Sequence, residues 1–110
     1  MAHDEDLADR IRTALGDRDG VTEMRMFGGL AFLVNGNMAV AASSQGGLLL
    51  RVDPGDTDSL VTEDGVTRSE MRGRAMKGWV DVDSSAIAAD RDLARWVGIG
   101  VAFAGTLPPK

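Results

Sequence analysis

Asn35-Gly36 constrains this chain more than any other feature, because it stands in the middle of MRMFGGLAFLVNGNMAVAAS, residues 24–43, with apolar residues on both sides. Asn-Gly is the preferred dipeptide of a two-residue type I′ turn, since both residues tolerate the positive φ that lets the turn twist with its strands. An antiparallel hairpin follows. With Asn35 and Gly36 as the two loop residues, Val34 faces Asn37, Leu33 faces Met38, Phe32 faces Ala39, Ala31 faces Val40 and Leu30 faces Ala41. One side of the hairpin then presents Leu30, Phe32 and Val34 with Ala39 and Ala41, and the other Ala31 and Leu33 with Met38 and Val40. Neither side is polar, so both faces of the sheet around this hairpin must be covered. Two arrangements satisfy that demand: a symmetric homodimer that hides the second face, or a monomer whose terminal helices cover opposite faces.

The segments around the hairpin complete an α+β pattern. Leu7, Ala8, Ile11, Ala14 and Leu15 recur at helical spacing and Gly16 stops them, which predicts a short amphipathic helix after a disordered start over residues 1–6. From Thr22 the period changes to two, with Met24 and Met26 on one side and Glu23, Arg25 and Phe27 on the other, until Gly28-Gly29 breaks the run. GLLLRVD after the Gln45-Gly46-Gly47 turn reads as a further strand, and DPGDTDSLV as a turn into a short helix with Pro54 in its first turn. EDGVTRSEMRGRAM reads as loop or ragged edge strand, and MKGWVDVD as an outer strand with one wet face that carries Lys77, Trp79, Asp81 and Asp83. Leu93, Trp96, Val97, Gly100, Val101 and Ala104 form one stripe of a long C-terminal helix that should be deeply buried. The fold expected is therefore an antiparallel β-sheet with a central Asn-Gly hairpin, flanked by an N-terminal and a long C-terminal helix. At 110 residues, with 44% hydrophobic and 26% charged residues, the chain has the size and balance of one globular domain.

Composition removes most chemistry. Zero cysteines exclude disulfides, thiolate nucleophiles and cysteine-held metals, and agree with a reducing compartment. His3 is the lone histidine and sits in the terminal segment, so no dyad or histidine metal site is expected, and the serines have no imidazole base. Gly98-Ile99-Gly100 falls late in a helical pattern rather than between a strand and a helix, which makes it a packing feature and not a dinucleotide fingerprint. Gly73-Arg74-Ala75-Met76-Lys77-Gly78 has the two glycines of a phosphate loop but Trp79 and Val80 where its Lys and Ser/Thr belong. Asp81-Val82-Asp83-Ser84-Ser85-Ala86 begins like a calcium loop yet lacks its glycine and its bidentate Glu, so a strand end leading into a helix cap is the better reading. No catalytic residue, metal or cofactor is expected. No apolar run reaches the length of a membrane span, and the acidic start does not resemble a signal peptide, so a cytoplasmic protein is expected.

Residues 68–77, RSEMRGRAMK, carry a local charge of +3 on a chain of net −5, leaving −8 elsewhere. Arg68, Arg72, Arg74 and Lys77 are therefore the candidate contacts for an anionic partner, unless they pair with the chain's own acids. Trp79 is the candidate interface anchor beside them, or else lies over aliphatic stems such as that of Lys77. The net charge disfavours binding nucleic acid by phosphates alone.

RMFGGLAFLVNGNMAV, LLLRVD, MKGWVDVD and LARWV in this order resemble the TfoX (Sxy) N-terminal domain family of competence regulators, from about Leu7 to Leu107. The most specific parts are Met26-Phe27-Gly28-Gly29 followed by Asn35-Gly36, and Met76-Lys77-Gly78-Trp79-Val80 ahead of the C-terminal helix. The resemblance implies an α+β domain and a regulatory rather than catalytic role, here as a stand-alone single domain. Together with the composition, it favours a non-catalytic adaptor-like module that acts through protein contacts, with a nucleic-acid-binding accessory domain as the alternative and a small-molecule enzyme third.

Overall fold

The computed structural model describes residues 5–16, 19–26, 29–43, 47–71 and 73–109; of residues 26, 70, 71 and 74–77 it describes the backbone. Six strands form one antiparallel sheet: β1 (Val21–Met26), β2 (Gly29–Val34), β3 (Asn37–Ala42), β4 (Leu48–Arg51), β5 (Val66–Met71) and β6 (Arg74–Val82), in the order β1-β2-β3-β4-β6-β5. Among the described residues three α-helices accompany it: α1 (Glu5–Leu15), α2 (Thr57–Leu60) and α3 (Asp90–Ala104). The α+β architecture read from the sequence is the one observed. Helix α1 starts at Glu5, so residues 5 and 6 belong to it; residues 1–4 of the expected disordered start lie outside the described residues.

Asn35 and Gly36 take φ of 52° and 83° and turn β2 into β3 as the dipeptide predicts. Val34 faces Asn37 and Leu33 faces Met38, but beyond them the pairs are Phe32 with Val40, Ala31 with Ala41 and Leu30 with Ala42. The register read from the sequence is therefore corrected by one residue after the second pair, because a bulge inserts Ala39 into β3. The bulge exchanges residues between faces: Val40 joins Phe32 on one side, and Ala41 joins Ala31 on the other. Helix α3 lies above it. At Gly100 of α3 an added Cβ would come 2.6 Å from the Ala39 carbonyl oxygen and 2.8 Å from Val40 Cγ1, so bare helix backbone rests on the bulged strand.

All three helices lie on one side of the sheet. Leu7, Ile11 and Leu15 of α1, and Leu93, Trp96, Val97 and Val101 of α3, share a single buried core with Leu30, Phe32, Val40, Leu48, Leu50, Val80 and Val82. Arg12 of α1 donates to Glu23 of β1, and Arg68 of β5 donates to Asp58 of α2, from the same side. This overturns the arrangement in which the terminal helices cover opposite faces. Helices α1 and α3 instead pack side by side over the same sheet face and share one core with it.

The ragged edge strand read in EDGVTRSEMRGRAM is β5, whose pairing with β6 shifts between Arg68 and Glu70 and which leads into β6 with Gly73 at φ 79°. MKGWVDVD differs from its sequence reading: β6 lies between β4 and β5 rather than at the outside. Wet residues along β6 suggested an edge; the edge is β5. Asp83 ends β6 as the cap of a 3-10 turn (Ser84–Ile87), accepting from Ser85 N at 3.0 Å and Ser85 Oγ at 2.7 Å, as expected for a strand running into a cap.

Candidate interaction surface

The side of the sheet that the helices leave is built from alternate residues of every strand. Pairing links Met24 to Ala31, Ala31 to Ala41, Ala41 to Leu49, Leu49 to Asp81 and Asp81 to Thr67, one continuous row across all six strands. Strand alternation dictates this, since each partner in a pair points to the same face. The row is apolar across β1 to β4 and polar across β6 and β5. Ala31 and Ala41, too short to rise above the strands, are buried; Leu33, Met38 and Leu49 are half-buried, and Met24 is 50% exposed, the one exposed large hydrophobic residue among those described.

At the polar end a cleft of about 450 Å³ opens between Ser43, Gly47, Gly65, Thr67, Asp81 and Asp83. Burial pushes the Asp81 carboxyl above its usual range, against a hydrogen bond from Ser69 that pulls it down. Asp83 moves the other way, because Ser85 donates to its carboxylate from both side chain and backbone. The two acids, alike in sequence, both line the cleft but divide in character: Asp83 caps a turn and Asp81 is desolvated. Among the described residues no cluster of three or more acidic or histidine side chains is placed to hold a metal ion.

Of the four cations of the basic segment, Arg68 is the one whose side chain is described. Arg68 sits opposite Val80 on the helix side, where it is tied to Asp58. Arg72 lies outside the described residues, and Arg74 and Lys77 are placed by backbone only, in β6, with Arg74 opposite Met71. Trp79 is half-buried opposite Arg51, whose guanidinium carbon lies 5.4 Å from the Trp79 ring centroid and 5.8 Å from that of Phe103 on α3. Its described neighbour is thus a cation that also reaches the C-terminal helix. Arg51 was visible in the sequence only as the polar position where the alternation of LLLRVD turned.

A model of the TfoX N-terminal domain matches residues 13–104. The chain belongs to the TfoX N-terminal domain family. Neither the curated proteins nor the solved structures searched give a match. Membership fits a competence-regulator-like domain. Of the two stretches that carry the resemblance to TfoX, the first begins at Met26, paired with Gly29, while Phe27 and Gly28 lie outside the described residues. The second has a structural explanation at its glycine. Gly78 takes φ of 89°, its N–H donates to the buried Thr57 Oγ1 at 3.1 Å, and an added Cβ would lie 3.3 Å from Pro54 Cγ and Val52 O. That motif of the TfoX domain therefore locks β6 to the turn before α2. Among the described residues no helix is long and apolar enough to cross a membrane.

Proposed function

We propose that this TfoX N-terminal domain is a non-catalytic regulatory module of the cytoplasm, acting through protein contacts made on the helix-free face of its sheet. The observation that carries this reading is the placement of every helix on one side while Met24, Ala31, Leu33, Met38, Ala41 and Leu49 keep the other side apolar. An apolar sheet face rimmed by polar residues suits a protein partner. Self-association belongs to the same reading. Arg68, held by Asp58, supports the view that the basic segment serves the chain's own acids, and the net charge of −5 points away from phosphate binding.

Affinity capture from host extract tests the assignment with three baits: wild type, Leu33→Asp with Leu49→Asp, and Arg72, Arg74 and Lys77 all replaced by Gln. A protein retained by wild type and the Gln variant but lost from the Asp variant is the expected result. Capture that ignores the Asp variant, vanishes with the Gln variant and falls steeply with salt, by a slope of about 0.9 per phosphate, would establish the nucleic-acid alternative instead.

A further inference from the structure

We propose that β1 is a self-pairing edge, and that two copies of this chain join antiparallel through it into one continuous sheet with Met24 on the two-fold axis. Strand β1 pairs with β2 over all six residues with no register shift, and its other edge is the end of the sheet. Thr22, Glu23, Met24 and Arg25 are all exposed. The opposite edge, β5, is interrupted by a shift in pairing between Arg68 and Glu70, the kind of irregularity that turns an edge away from partners. The pairing of strand β1 has no such irregularity, and the strand has no proline.

Backbone geometry limits which registers two β1 strands can adopt. The Asn35 N–H donates to Gly20 O at 2.9 Å, continuing the β1–β2 ladder. Bonded pairs alternate along an antiparallel ladder, so Thr22, Met24 and Met26 bond inward to β2, and Val21, Glu23 and Arg25 turn their N–H and C=O groups outward. A two-fold pairing must therefore match outward residues with outward residues. Three central registers do so: Glu23 opposite its own copy, Arg25 opposite its own copy, or Glu23 opposite Arg25 of the second copy. The first two place like charges face to face and are disfavoured; the third forms two opposite-charge pairs. The charges thus select one register, and in it Met24 meets its own copy at a pair without backbone bonds, where side chains approach most closely. The exposed thioether is covered by its equivalent, and the apolar faces of the two protomers become contiguous. Glu23 already accepts two bonds from Arg12, at 2.8 and 2.9 Å, and a carboxylate has capacity for more. Among the described residues no acid pairs with Arg25.

This inference rests on the protein-contact reading only in naming one partner, a second copy, and the test separates the two. The whole chain is studied by sedimentation across the micromolar range, with cross-linking read in parallel. Because the chain has no cysteine, Met24→Cys reports one contact alone. At a pair without backbone bonds the Cα atoms stand about 4.5 Å apart, within disulfide reach. Mild oxidation is expected to link Met24→Cys into dimers and to leave Thr22→Cys, which faces residue 26 of the other copy, unlinked. Arg25→Glu should weaken association about tenfold or more, and a mixture of Arg25→Glu with Glu23→Arg should regain it, because each supplies the charges the other lacks. A wild-type chain that stays monomeric overturns the proposal. So does a dimer in which Met24→Cys links no faster than Thr22→Cys, an outcome that leaves contacts through the sheet face standing.

Discussion

Gly100 shows how much one residue can decide. Its missing side chain lets α3 descend onto β3, with the site of a Cβ 2.7 Å from Leu50 Cδ1 as well as close to the Ala39 carbonyl. Gly100→Ala should therefore destabilise the domain by about 1–3 kcal/mol through overpacking, although alanine is the better helix former; urea unfolding measures it. Gly98, with nothing within 4 Å of an added Cβ, provides the control, and Gly98→Ala should be neutral or slightly stabilising. The two tryptophans differ in the same local way. Trp96 is 2% exposed in the core, so Trp96→Ala should cost about 3–5 kcal/mol, whereas the half-buried Trp79, beside Arg51, should cost less. Periodicity alone separated these two indoles, one on the apolar stripe of a helix and one at a wet position of a strand. It did not reveal the Arg51 cation, which pairing between β4 and β6 brings to Trp79 from far along the chain.

Elements are joined by side chains whose roles no local pattern announces. Helix α3 has no side-chain cap at Ala89; Arg10 of α1 instead donates to Asp90 at 3.0 Å and to the carbonyls of Ile87 and Ala88 at 2.6 and 3.1 Å. Arg10→Ala should cost about 1–2 kcal/mol, and it should raise amide exchange in the 84–90 segment more than in α1, a contrast that hydrogen-exchange measurements would show. Buried Asn37, next to the turn, donates its side-chain amide to Pro108 O at 2.9 Å and so ties the chain's end to the hairpin. In the sequence Asn37 reads only as a turn neighbour, because its partner lies far along the chain.

Acid response belongs to the whole molecule, since it sums groups scattered over it. Hydrogen bonds from Arg12 and Arg95 hold the carboxyls of Glu23 and Glu63 below their ordinary value, and Ser85 does the same to Asp83. Each of these binds its proton more weakly in the folded than in the unfolded chain, so its contribution is complete above the ordinary carboxylate range and is lost as pH falls through the lowered value. Each exposed ion pair is worth only about 0.2–1 kcal/mol, and the loss should be gradual. Asp81 has the opposite sign: its raised value means that ionisation opposes folding, a penalty relieved as pH falls. Asp81→Asn should accordingly be more stable than wild type at neutral pH, and the difference should vanish near about pH 3, where the carboxyl is protonated in both states. Urea titrations at the two pH values decide it.

What the sequence determined by itself is whatever depends on neighbours along the chain. Helix α1 stops at Gly16, β1 alternates, Asn35-Gly36 turns, Asp83 caps, and α3 carries a stripe from Leu93 to Ala104. Each is set by backbone preference or hydrophobic period within a few residues. The tertiary structure alone decided the bulge at Ala39, the placement of both long helices on one side of the sheet, and the position of β6 inside the sheet rather than at its edge. It also paired Arg68 with Asp58 of α2. These outcomes turn on contacts between segments distant in sequence, such as that of Gly100 with β3, and a period of two or 3.6 residues carries no information about which face another element will choose.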